Sequence, residues 1–424
     1  MKFLVKPSKL HGAVNIPGSK SHTIRALAFA LLAEGESIIK HPLNSADTRS
    51  CIDMVERFGA EVCIEENSWR VKGKGGELDI PSDIVDIGNS GTSLYIGLGL
   101  ASLVKGFTVF TGDHQMRNRP ADALLKSITD LRGNAFSTRG NGKPPIIIKG
   151  KIRGGETSIK AVTSQYLTSL LIASPLASDN TIIKVPLLNE MPYVVMTLGW
   201  LDKLGIKYAN KDFKEFHITG NQGYMAFSEQ IPADFSSATF PLVAAAITGS
   251  ELILKGLDFN DTQGDKEVID ILKEMGAKIE IGDNFIRIDG GKLKGGTFDL
   301  NSIPDSLPAL AVAGCIADGE TRLVNVPQAR LKETDRISVM NDELKKMGAD
   351  VEELDDGIII KRCDLKGAKV DGHSDHRVVM SLSLAGLMAN GETIIDTAES
   401  VSITFPNFLQ LMKSIGSDIQ IMEE

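Results

Sequence analysis

Leu387–Asp396, with the sequence LMANGETIID, contains the unit from which the whole chain is built: an apolar helical run, a turn residue and a short apolar strand. The turn residue here is Gly391, and Thr393 follows it closely. The same order of residue types occurs six times, about 70 residues apart, which indicates an internal repeat. The five other copies are LLAEGESII (31–39), LASLVKGFTVF (100–110), PLASDNTIIKV (175–185), AAITGSELIL (245–254) and CIADGETRLV (315–324).

A second turn accompanies each copy of the repeat. Its six forms are ERFGAEV (56–62), DLRGNAF (130–136), DKLGIKY (202–208), KEMGAKI (273–279), KKMGADV (345–351) and KSIGSDI (413–419). Each is typical of a helix that ends at a left-handed residue and is followed by a strand, because glycine adopts that backbone conformation readily. Every repeat therefore holds two helix–turn–strand steps and extra strands, which predicts the order βαβαββ.

Six such repeats are too many for one hydrophobic core, so we predict an α/β protein of two domains with three repeats each. Threefold repetition within a domain would place the helices in the middle and the sheets outside. We expect the first strand, in MKFLVKP (1–7), to join the C-terminal domain. The predicted domains are residues 1–14 with 228–424, and residues 15–227. Because ligands favour the cleft between two such domains, we expect the active site there.

The composition argues against several classes of function. The chain has 424 residues and a formal net charge of −9, which argues against a general binder of nucleic acid or membrane surfaces. No apolar run approaches the roughly 20 residues that a membrane-spanning helix needs. The first residues, MKFLVKPSKLHG, are too short and polar for a signal peptide, so we expect a cytoplasmic protein.

The four cysteines, Cys51, Cys63, Cys315 and Cys363, lie far apart in the sequence and lack the spacing of a zinc site. We expect buried, reduced thiols and no bound metal. The motifs HExxH, GxxxxGK[ST] and GxGxxG opening a βαβ unit are absent from the sequence. Neither a zinc protease nor a nucleotide-binding phosphate loop is therefore indicated.

Polar residues gather at the predicted starts of apolar helices in most of the repeats. Such starts offer free backbone amides, which bind anions, especially beside a Lys or an Arg. An ordinary cap would explain most of these clusters taken alone, and Asp305 has two interpretations, a helix N-cap or a general base. Because equivalent positions in a repeat protein share a face, we expect the clusters to converge on one cleft, which indicates an enzyme that handles anions. The stretches are PGSKSHTIRALAFALLA (17–33), DIGNSGTSLYIGLGLAS (86–102), GDHQMRNRPADAL (112–124, with Pro120 predicted at the first helical position), AVTSQYLTSLLIASPLA (161–177), NSIPDSLPALAVAG (301–314) and HSDHRVVMSLSLAG (373–386).

The stretch RLKETDR (330–336) combines Lys332, Glu333 and Arg336. If it opens a helix, Lys332 and Arg336 lie four residues apart on one face, with Glu333 beside them. Two cations and one carboxylate suit an anionic substrate that also needs a proton moved. A solvated helix face with ion pairs is the simpler interpretation of this stretch alone.

Taken together and in order, these motifs resemble those of the 5-enolpyruvylshikimate-3-phosphate synthase family. The resemblance implies an inside-out α/β barrel of three βαβαββ repeats in each domain. It also implies phosphoenolpyruvate and shikimate 3-phosphate as substrates, without a metal or an organic cofactor, and we expect a monomer. The matching stretches run from end to end of the chain: GSKSHTIRA (18–26), GNSGTS (88–93), RNRP (117–120), TSQYLTSLL (163–171), MPY (191–193), IPD (303–305), KETDR (332–336), SDHR (374–377) and TFP (404–406).

The resemblance also implies roles for single residues. Asp305, helped by Lys20, would take the proton from the acceptor 5-hydroxyl, and Glu333 would move the proton at the methylene carbon. Addition would give a tetrahedral intermediate, and loss of phosphate would give the enol ether. The residues implied for phosphoenolpyruvate are Lys20, Gly91, Thr92, Arg119, Gln165, Arg336 and Arg377. Those implied for shikimate 3-phosphate are Ser21, Arg25, Thr163, Ser164, Gln165, Tyr193, Asp305 and Lys332. Further candidates are Asn89, Gln328 and His376.

Four positions depart from the pattern of that family. Glu190 stands where the family usually has a Ser that contacts the shikimate phosphate, and Tyr95 stands where it often has Arg. Gln328 replaces an Asn, and Ile403 stands where some members have Lys. Because a carboxylate would repel a phosphate, we expect the Glu190 side chain to point to solvent. The alternative is a related enolpyruvyl transferase that acts on a different acceptor without the phosphate.

Three other classes of function fit the sequence less well. Enolpyruvyl transferases that act on UDP-N-acetylglucosamine characteristically use a cysteine in a mobile loop, and residues 107–125 contain none. RNA 3′-phosphate cyclases have a related fold but use a catalytic His and ATP. A binding scaffold without catalytic activity would leave KETDR and SDHR unexplained.

Overall fold

The computed structural model describes residues 1–422. It divides into two compact units. We call Lys20–Ile231 the central unit, and we call Met1–Ser19 together with the chain from Pro232 onward the terminal unit.

Each unit contains helices that are buried nearly all round and helices that are amphipathic. The first, third and fifth helices of either unit consist almost entirely of buried residues. The helices of the central unit are α1 Lys20–Leu32, α2 Ala46–Arg57, α3 Gly91–Ala101, α4 Asp122–Asp130, α5 Ser164–Ala173 and α6 Met191–Lys203. Those of the terminal unit are α7 Phe235–Thr248, α8 Glu267–Glu274, α9 Leu307–Ile316, α10 Arg336–Lys346, α11 His376–Met388 and α12 Phe408–Ser414.

The strands are short, and in most of them buried and exposed residues alternate, as expected where one face packs on the core. They are β1 Lys2–Lys6, β2 His11–Asn15, β3 Ala33–Glu34, β4 Glu36–Lys40, β5 Glu61–Ile64, β6 Ser68–Lys72, β7 Val85–Asp86, β8 Phe107–Thr111, β9 Asn134–Ser137, β10 Ile146–Lys149, β11 Gly155–Ala161, β12 Thr181–Leu188, β13 Tyr208–Lys211, β14 Glu215–Ile218, β15 Tyr224–Met225, β16 Ser228–Gln230, β17 Glu251–Lys255, β18 Lys278–Ile281, β19 Phe285–Asp289, β20 Thr297–Asp299, β21 Glu320–Val324, β22 Asp350–Leu354, β23 Gly357–Lys361, β24 Lys369–Asp371, β25 Thr393–Asp396 and β26 Asp418–Met422.

Within residues 1–422 all strands except β3 and β15 form six four-stranded sheets, three in each unit, with one parallel pair in every sheet. Strands β3 and β15 form a parallel two-stranded sheet in the central unit. The strand orders are β16-β4-β6-β5, β7-β8-β10-β9 and β11-β12-β14-β13 in the central unit, and β18-β19-β17-β2, β20-β21-β23-β22 and β24-β25-β1-β26 in the terminal unit. Three of the six run βαβαββ without interruption, from β7, β11 and β20. The other three include β1, β2 or β16, which lies distant in sequence from the rest of its sheet.

The predicted helix-ending glycines adopt positive φ with one exception. Gly416, for example, has φ 100°. In DLRGNAF, the residue with positive φ is Arg132, at 72°, and not the following Gly133. At Gly133 a Cβ would lie 2.8 Å from a side-chain carbon of Ile128. Glycine is therefore needed here because Ile128 packs closely against it, and not because the backbone is left-handed.

The cysteines are free thiols, and not all of them are buried. Cys51 and Cys315 are buried, whereas Cys363 is half-buried and Cys63 is exposed, so the expectation of four buried thiols is wrong at two positions. Within the described part of the chain, no helix is long and apolar enough to cross a membrane. The same residues contain no group of three or more His, Cys, Asp and Glu side chains arranged to hold a metal ion.

Candidate functional site

Arg336 is the centre of a buried charge cluster in the terminal unit. Its side chain is fully buried, and its guanidinium contacts three carboxylates. Nε and Nη2 donate to the two oxygens of Asp375 at 2.8 and 3.2 Å, while Nη1 donates to Asp305 at 2.8 Å. Nη2 also donates to Glu333 at 2.5 Å. Burial alone would lower the pKa of Arg336, but the three carboxylates outweigh burial and raise it, so the charge is retained.

The stretch RLKETDR does not begin a helix at its start, contrary to the helix-face expectation. Helix α10 begins only at Arg336, the last residue of the stretch. Asp335 is the N-cap, and its side chain accepts a hydrogen bond from the Ser338 amide at 3.1 Å. Lys332 and Glu333 therefore reach the cluster from the segment before the helix.

Asp305 brings a second guanidinium to the cluster. Its Oδ1 accepts the hydrogen bond from Arg336, and its Oδ2 lies 3.0 Å from Nη2 of Arg377. Nζ of Lys332 lies 3.8 Å from Oδ1. The N-cap position of α9 belongs to Ser306, so the interpretation of Asp305 as a helix cap is wrong. The carboxylate of Asp305 therefore contacts both Arg336 and Arg377.

Asp375 caps α11 and orients this arrangement. Its carboxylate accepts from the Arg377 amide at 2.9 Å and from Thr334 Oγ1 at 3.0 Å. Burial opposes ionisation of Asp375, but Arg336 outweighs burial and the pKa is lowered. Burial also lowers the pKa of His376 to about 3, so this imidazole is neutral at neutral pH. Neither of its ring nitrogens has a hydrogen-bond partner among residues 1–422.

Arg25 of α1 is a buried guanidinium in the central unit. It donates to Thr197 Oγ1 and to the carbonyl oxygens of Ser21 and Tyr193, each at 3.0 Å. Within residues 1–422, the Arg25 side chain donates hydrogen bonds to neutral acceptors only. Burial lowers the pKa of Arg25 to about 10, although Tyr193 and Glu190 act in the opposite direction. The guanidinium is charged at neutral pH and suits an anionic ligand.

Lys20 begins the same helix and is held by an ion pair. Its Nζ lies 3.0 Å from Oδ2 of Asp47, and both side chains are largely buried. Asp47 belongs to the first turn of α2, so the pair joins the starts of two helices. This contact fixes the direction of the Lys20 side chain.

Glu190 points into the protein, so the expectation of a solvent-facing side chain is wrong. The residue is 1% exposed. Its Oε2 accepts hydrogen bonds from Thr163 Oγ1 at 3.0 Å, from the Ser164 amide at 3.0 Å and from Ser164 Oγ at 2.8 Å. Thr163 is the N-cap of α5 and Ser164 its first residue, so a carboxylate occupies a helix N-terminus.

Gly91, the first residue of α3, lies against the side chain of Arg119. A Cβ at this position would lie 2.2 Å from Nη1 of Arg119, so only glycine leaves room for the guanidinium. Tyr95 and Tyr166 both donate to the carbonyl of Pro120, at 2.9 and 2.6 Å, and so fix the backbone next to Arg119. Pro120 itself is not the first helical residue, because α4 begins two positions later.

Two predicted residues lie near the start of α3. Thr92 is buried in its first turn. Nδ2 of Asn89 donates to Asp113 Oδ2 and to Gln115 Oε1, both at 2.6 Å. Asn89 therefore links the start of α3 to the loop that leads to the RNRP segment.

Gln165 and Gln328 belong to different units and have different surroundings. Gln165 is the second residue of α5, and within the described chain its Oε1 has no hydrogen-bond partner. Gln328 is buried, and its Nε2 donates to the carbonyl of Asn301 at 2.9 Å. The contact of Gln328 holds a loop of the terminal unit, whereas Gln165 presents an acceptor at a helix start.

Three polar residues of these clusters did not stand out in the sequence. Ser236, second in α7, accepts from Arg377 at 2.7 Å, and the rule that selected the other helix starts would also have selected it. Thr197 lies one helical turn after Tyr193, a spacing that places both on one face. Asp47 carries no such signal, because 27 residues separate it from Lys20.

The two units offer complementary chemistry. The terminal unit combines two guanidinium groups with carboxylates, which suits binding of a substrate carboxylate and movement of a proton. The central unit presents Lys20, Arg25 and Arg119 with hydroxyls and amides at helix starts, which suits phosphate groups.

Comparisons with known proteins agree with one another. The sequence pattern of a family described as EPSP synthase (3-phosphoshikimate 1-carboxyvinyltransferase) matches residues 4–412. The chain is 55% identical over 423 residues to a 3-phosphoshikimate 1-carboxyvinyltransferase of Acetivibrio thermocellus, and 54% identical over 422 residues to one of Ruminiclostridium cellulolyticum. Both alignments cover 100% of each chain. A solved structure of an EPSP synthase from Acinetobacter baumannii superposes with a TM-score of 0.83 at 29% identity, covering 100% of both chains.

Proposed function

The chain belongs to the EPSP synthase family, and on that premise we propose how its polar clusters carry out the family's reaction. The protein transfers the carboxyvinyl group of phosphoenolpyruvate to shikimate 3-phosphate and releases phosphate, a step of the shikimate pathway. The acceptor position is the 5-hydroxyl. One observation carries the assignment of residues: a single carboxylate, Asp305, spans two guanidinium groups beside Glu333.

We assign Arg336 and Arg377 to the carboxylate of phosphoenolpyruvate. Each arginine donates to a different oxygen of Asp305, and a substrate carboxylate fits the same pair of donors. The incoming carboxylate displaces Asp305 from at least one arginine. The released carboxylate of Asp305, helped by Lys20, then accepts the proton of the acceptor hydroxyl.

Glu333 moves the proton at the methylene carbon. Its carboxyl group gives a proton to C3 of phosphoenolpyruvate while the acceptor oxygen bonds to C2, which forms the tetrahedral intermediate. Its carboxylate then takes a proton from C3 as the bond between C2 and the phosphate oxygen breaks, which leaves the enol ether and inorganic phosphate. The hydrogen bond from Arg336 orients Glu333 for both transfers.

The remaining residues bind the phosphates, ring and hydroxyls of the two substrates. Amides at helix starts and fixed cations suit this task because they require little reorganisation. For the phosphoenolpyruvate phosphate we assign Lys20, Gly91, Thr92, Arg119 and Gln165. For shikimate 3-phosphate we assign Ser21, Arg25, Thr163, Ser164, Gln165, Tyr193 and Lys332.

The finer description of the fold is also part of the proposal. Three sheets of one strand pattern and three nearly fully buried helices in each unit support an inside-out α/β barrel per unit, built from three repeats. We further propose a monomer in the cytoplasm. The mechanism requires no metal and no organic cofactor.

A direct assay tests the function. Purified protein is mixed with shikimate 3-phosphate and phosphoenolpyruvate, and phosphate release and the carboxyvinyl product are followed together. We expect both products only when both substrates are present, and none with unphosphorylated shikimate as a control acceptor. Folded protein that binds phosphoenolpyruvate but releases no phosphate would refute the proposal. A different acceptor is not favoured, because the full-length relatives at 55% and 54% identity are named for 3-phosphoshikimate.

A further inference from the structure

Glu190 satisfies donors that the proposed function assigns to the acceptor phosphate. Two hydroxyls and one backbone amide, from Thr163 and Ser164, converge on its Oε2 at 2.8 to 3.0 Å. Three donors around one oxygen at the N-terminus of α5 form a set that fits an anion. In the structure, the anion that they hold is a carboxylate of the chain itself.

We propose that Glu190 is a gate, whose carboxylate occupies the phosphate subsite and leaves it when the phosphorylated acceptor binds. This inference rests on the proposed function, which assigns Thr163 and Ser164 to that phosphate. The donors are limited in number, so a phosphate oxygen takes them only by replacing Oε2. Two anions held side by side at this helix start would also repel each other.

The backbone of Glu190 is held in a strained conformation. Its φ of 56° and ψ of 41° lie in the left-handed region, which a side-chain-bearing residue adopts only where its surroundings enforce it. The buried carboxylate and its three hydrogen bonds supply such a constraint. The next residue, Met191, is exposed, so this segment lies at the surface. Releasing the carboxylate removes the contacts that hold the strained backbone.

Binding measurements on substituted proteins test the gate. In Glu190→Ser, the dissociation constant for shikimate 3-phosphate should fall about tenfold or more, because the donors no longer have an internal partner. The KM for phosphoenolpyruvate and the dissociation constant for unphosphorylated shikimate should change less than about twofold. Glu190→Gln, which keeps the size and removes the charge, should show a smaller gain. Glu229→Ser is the matched control, because it removes a half-buried carboxylate of the same unit, one that pairs with Lys203 at 3.0 Å.

The sign of the effect separates the gate from a structural role. If Glu190 has only a structural role, its substitution should lower the melting temperature and leave the binding of both acceptors equal or weaker. Unchanged or weaker binding of shikimate 3-phosphate in Glu190→Ser and Glu190→Gln would therefore overturn the proposal. If the wild-type protein binds shikimate 3-phosphate without turnover, the proposed transfer reaction is refuted. The comparison of dissociation constants between wild type and variants would still test the gate. Wild-type and both variants that bind no shikimate 3-phosphate would overturn the gate itself.

Discussion

Replacing Arg336 by Lys should cost much more stability than the same replacement of an exposed arginine. The Arg336 guanidinium is fully buried and makes four hydrogen bonds to three carboxylates. Lys keeps the charge but carries its donors on one nitrogen, so it cannot reproduce the planar fork that faces Asp375. Losing a charge-assisted hydrogen bond costs about 1.5–3 kcal/mol, and breaking a buried ion pair costs about 3–5 kcal/mol. We expect a loss of about 3 kcal/mol, where the two ranges meet.

Thermal unfolding measures this loss, with Arg287→Lys as the control. A loss of about 3 kcal/mol in a unit of this size lowers the melting temperature by about 6–12 °C. Arg287 also makes two hydrogen bonds to a carboxylate, that of Glu251, but its side chain is 48% exposed. Exposed pairs contribute about 0–1 kcal/mol, so Arg287→Lys should shift the transition little. Equal shifts in the two variants would refute the reasoning from burial.

The same substitution tests the proposed role in binding. If Arg336 holds the substrate carboxylate, Arg336→Lys loses at least one charge-assisted hydrogen bond of about 1.5–3 kcal/mol. The value of kcat/KM for phosphoenolpyruvate should then fall by about 10- to 150-fold. An unchanged kcat/KM, measured on protein that is folded at the assay temperature, would contradict the assignment.

Three further substitutions test other parts of the site. In Gly91→Ala the new Cβ would lie 2.2 Å from Nη1 of Arg119, so the guanidinium must move. The value of kcat/KM for phosphoenolpyruvate should fall about 10–100-fold in steady-state kinetics. An unchanged value would contradict the assignment of Arg119 to the phosphate of phosphoenolpyruvate. Glu333→Gln should lower kcat about 10²–10⁴-fold while calorimetry still detects phosphoenolpyruvate binding, and full turnover would exclude the proton transfer. The pKa of Asp375 is lowered in the folded state, so its stabilising contribution is present above the unfolded pKa of about 3.9 and is lost as the pH falls through the folded value. Asp375→Asn should therefore be less stable than wild type in urea at pH 7, and the difference should shrink in acid; a difference that is independent of pH would contradict this.

The helix starts of the site could be predicted from the sequence alone. Lys20, Gly91, Ser164 and His376 begin helices in the structure, as expected. Each follows a turn or cap residue and opens an apolar run, so local backbone chemistry and hydrophobic burial favour the same boundary. The helix–Gly–strand repeat likewise predicted the alternation of helices and short strands, because glycine ends a helix without strain.

Side-chain direction could not be predicted in the same way. Glu190 was expected in water, since a carboxylate at this position would repel the acceptor phosphate. Its partners, Thr163 and Ser164, lie 27 and 26 residues earlier, and only the fold brings three donors to one point. The start of α10 is a different case. Asp335 is an ordinary cap residue and marks the start of the helix, but the four-residue spacing of Lys332 and Arg336 suggested an earlier start.

Internal carboxylates explain how a chain with a net charge of −9 keeps buried cations ready for anionic substrates. A buried guanidinium without an anion is costly, so the chain supplies its own: Asp305 spans Arg336 and Arg377, and the charge of Glu190 favours the protonated form of Arg25. On the proposed assignments, the carboxylate of phosphoenolpyruvate exchanges with Asp305 and the acceptor phosphate exchanges with Glu190. The affinity for a substrate then depends on the difference between two binding free energies at one set of donors, that of the substrate anion and that of the internal carboxylate. This difference favours the substrate that matches the donors best. For Asp305 the exchange has a chemical consequence, because its carboxylate becomes available as a base only when the substrate carboxylate has taken its place.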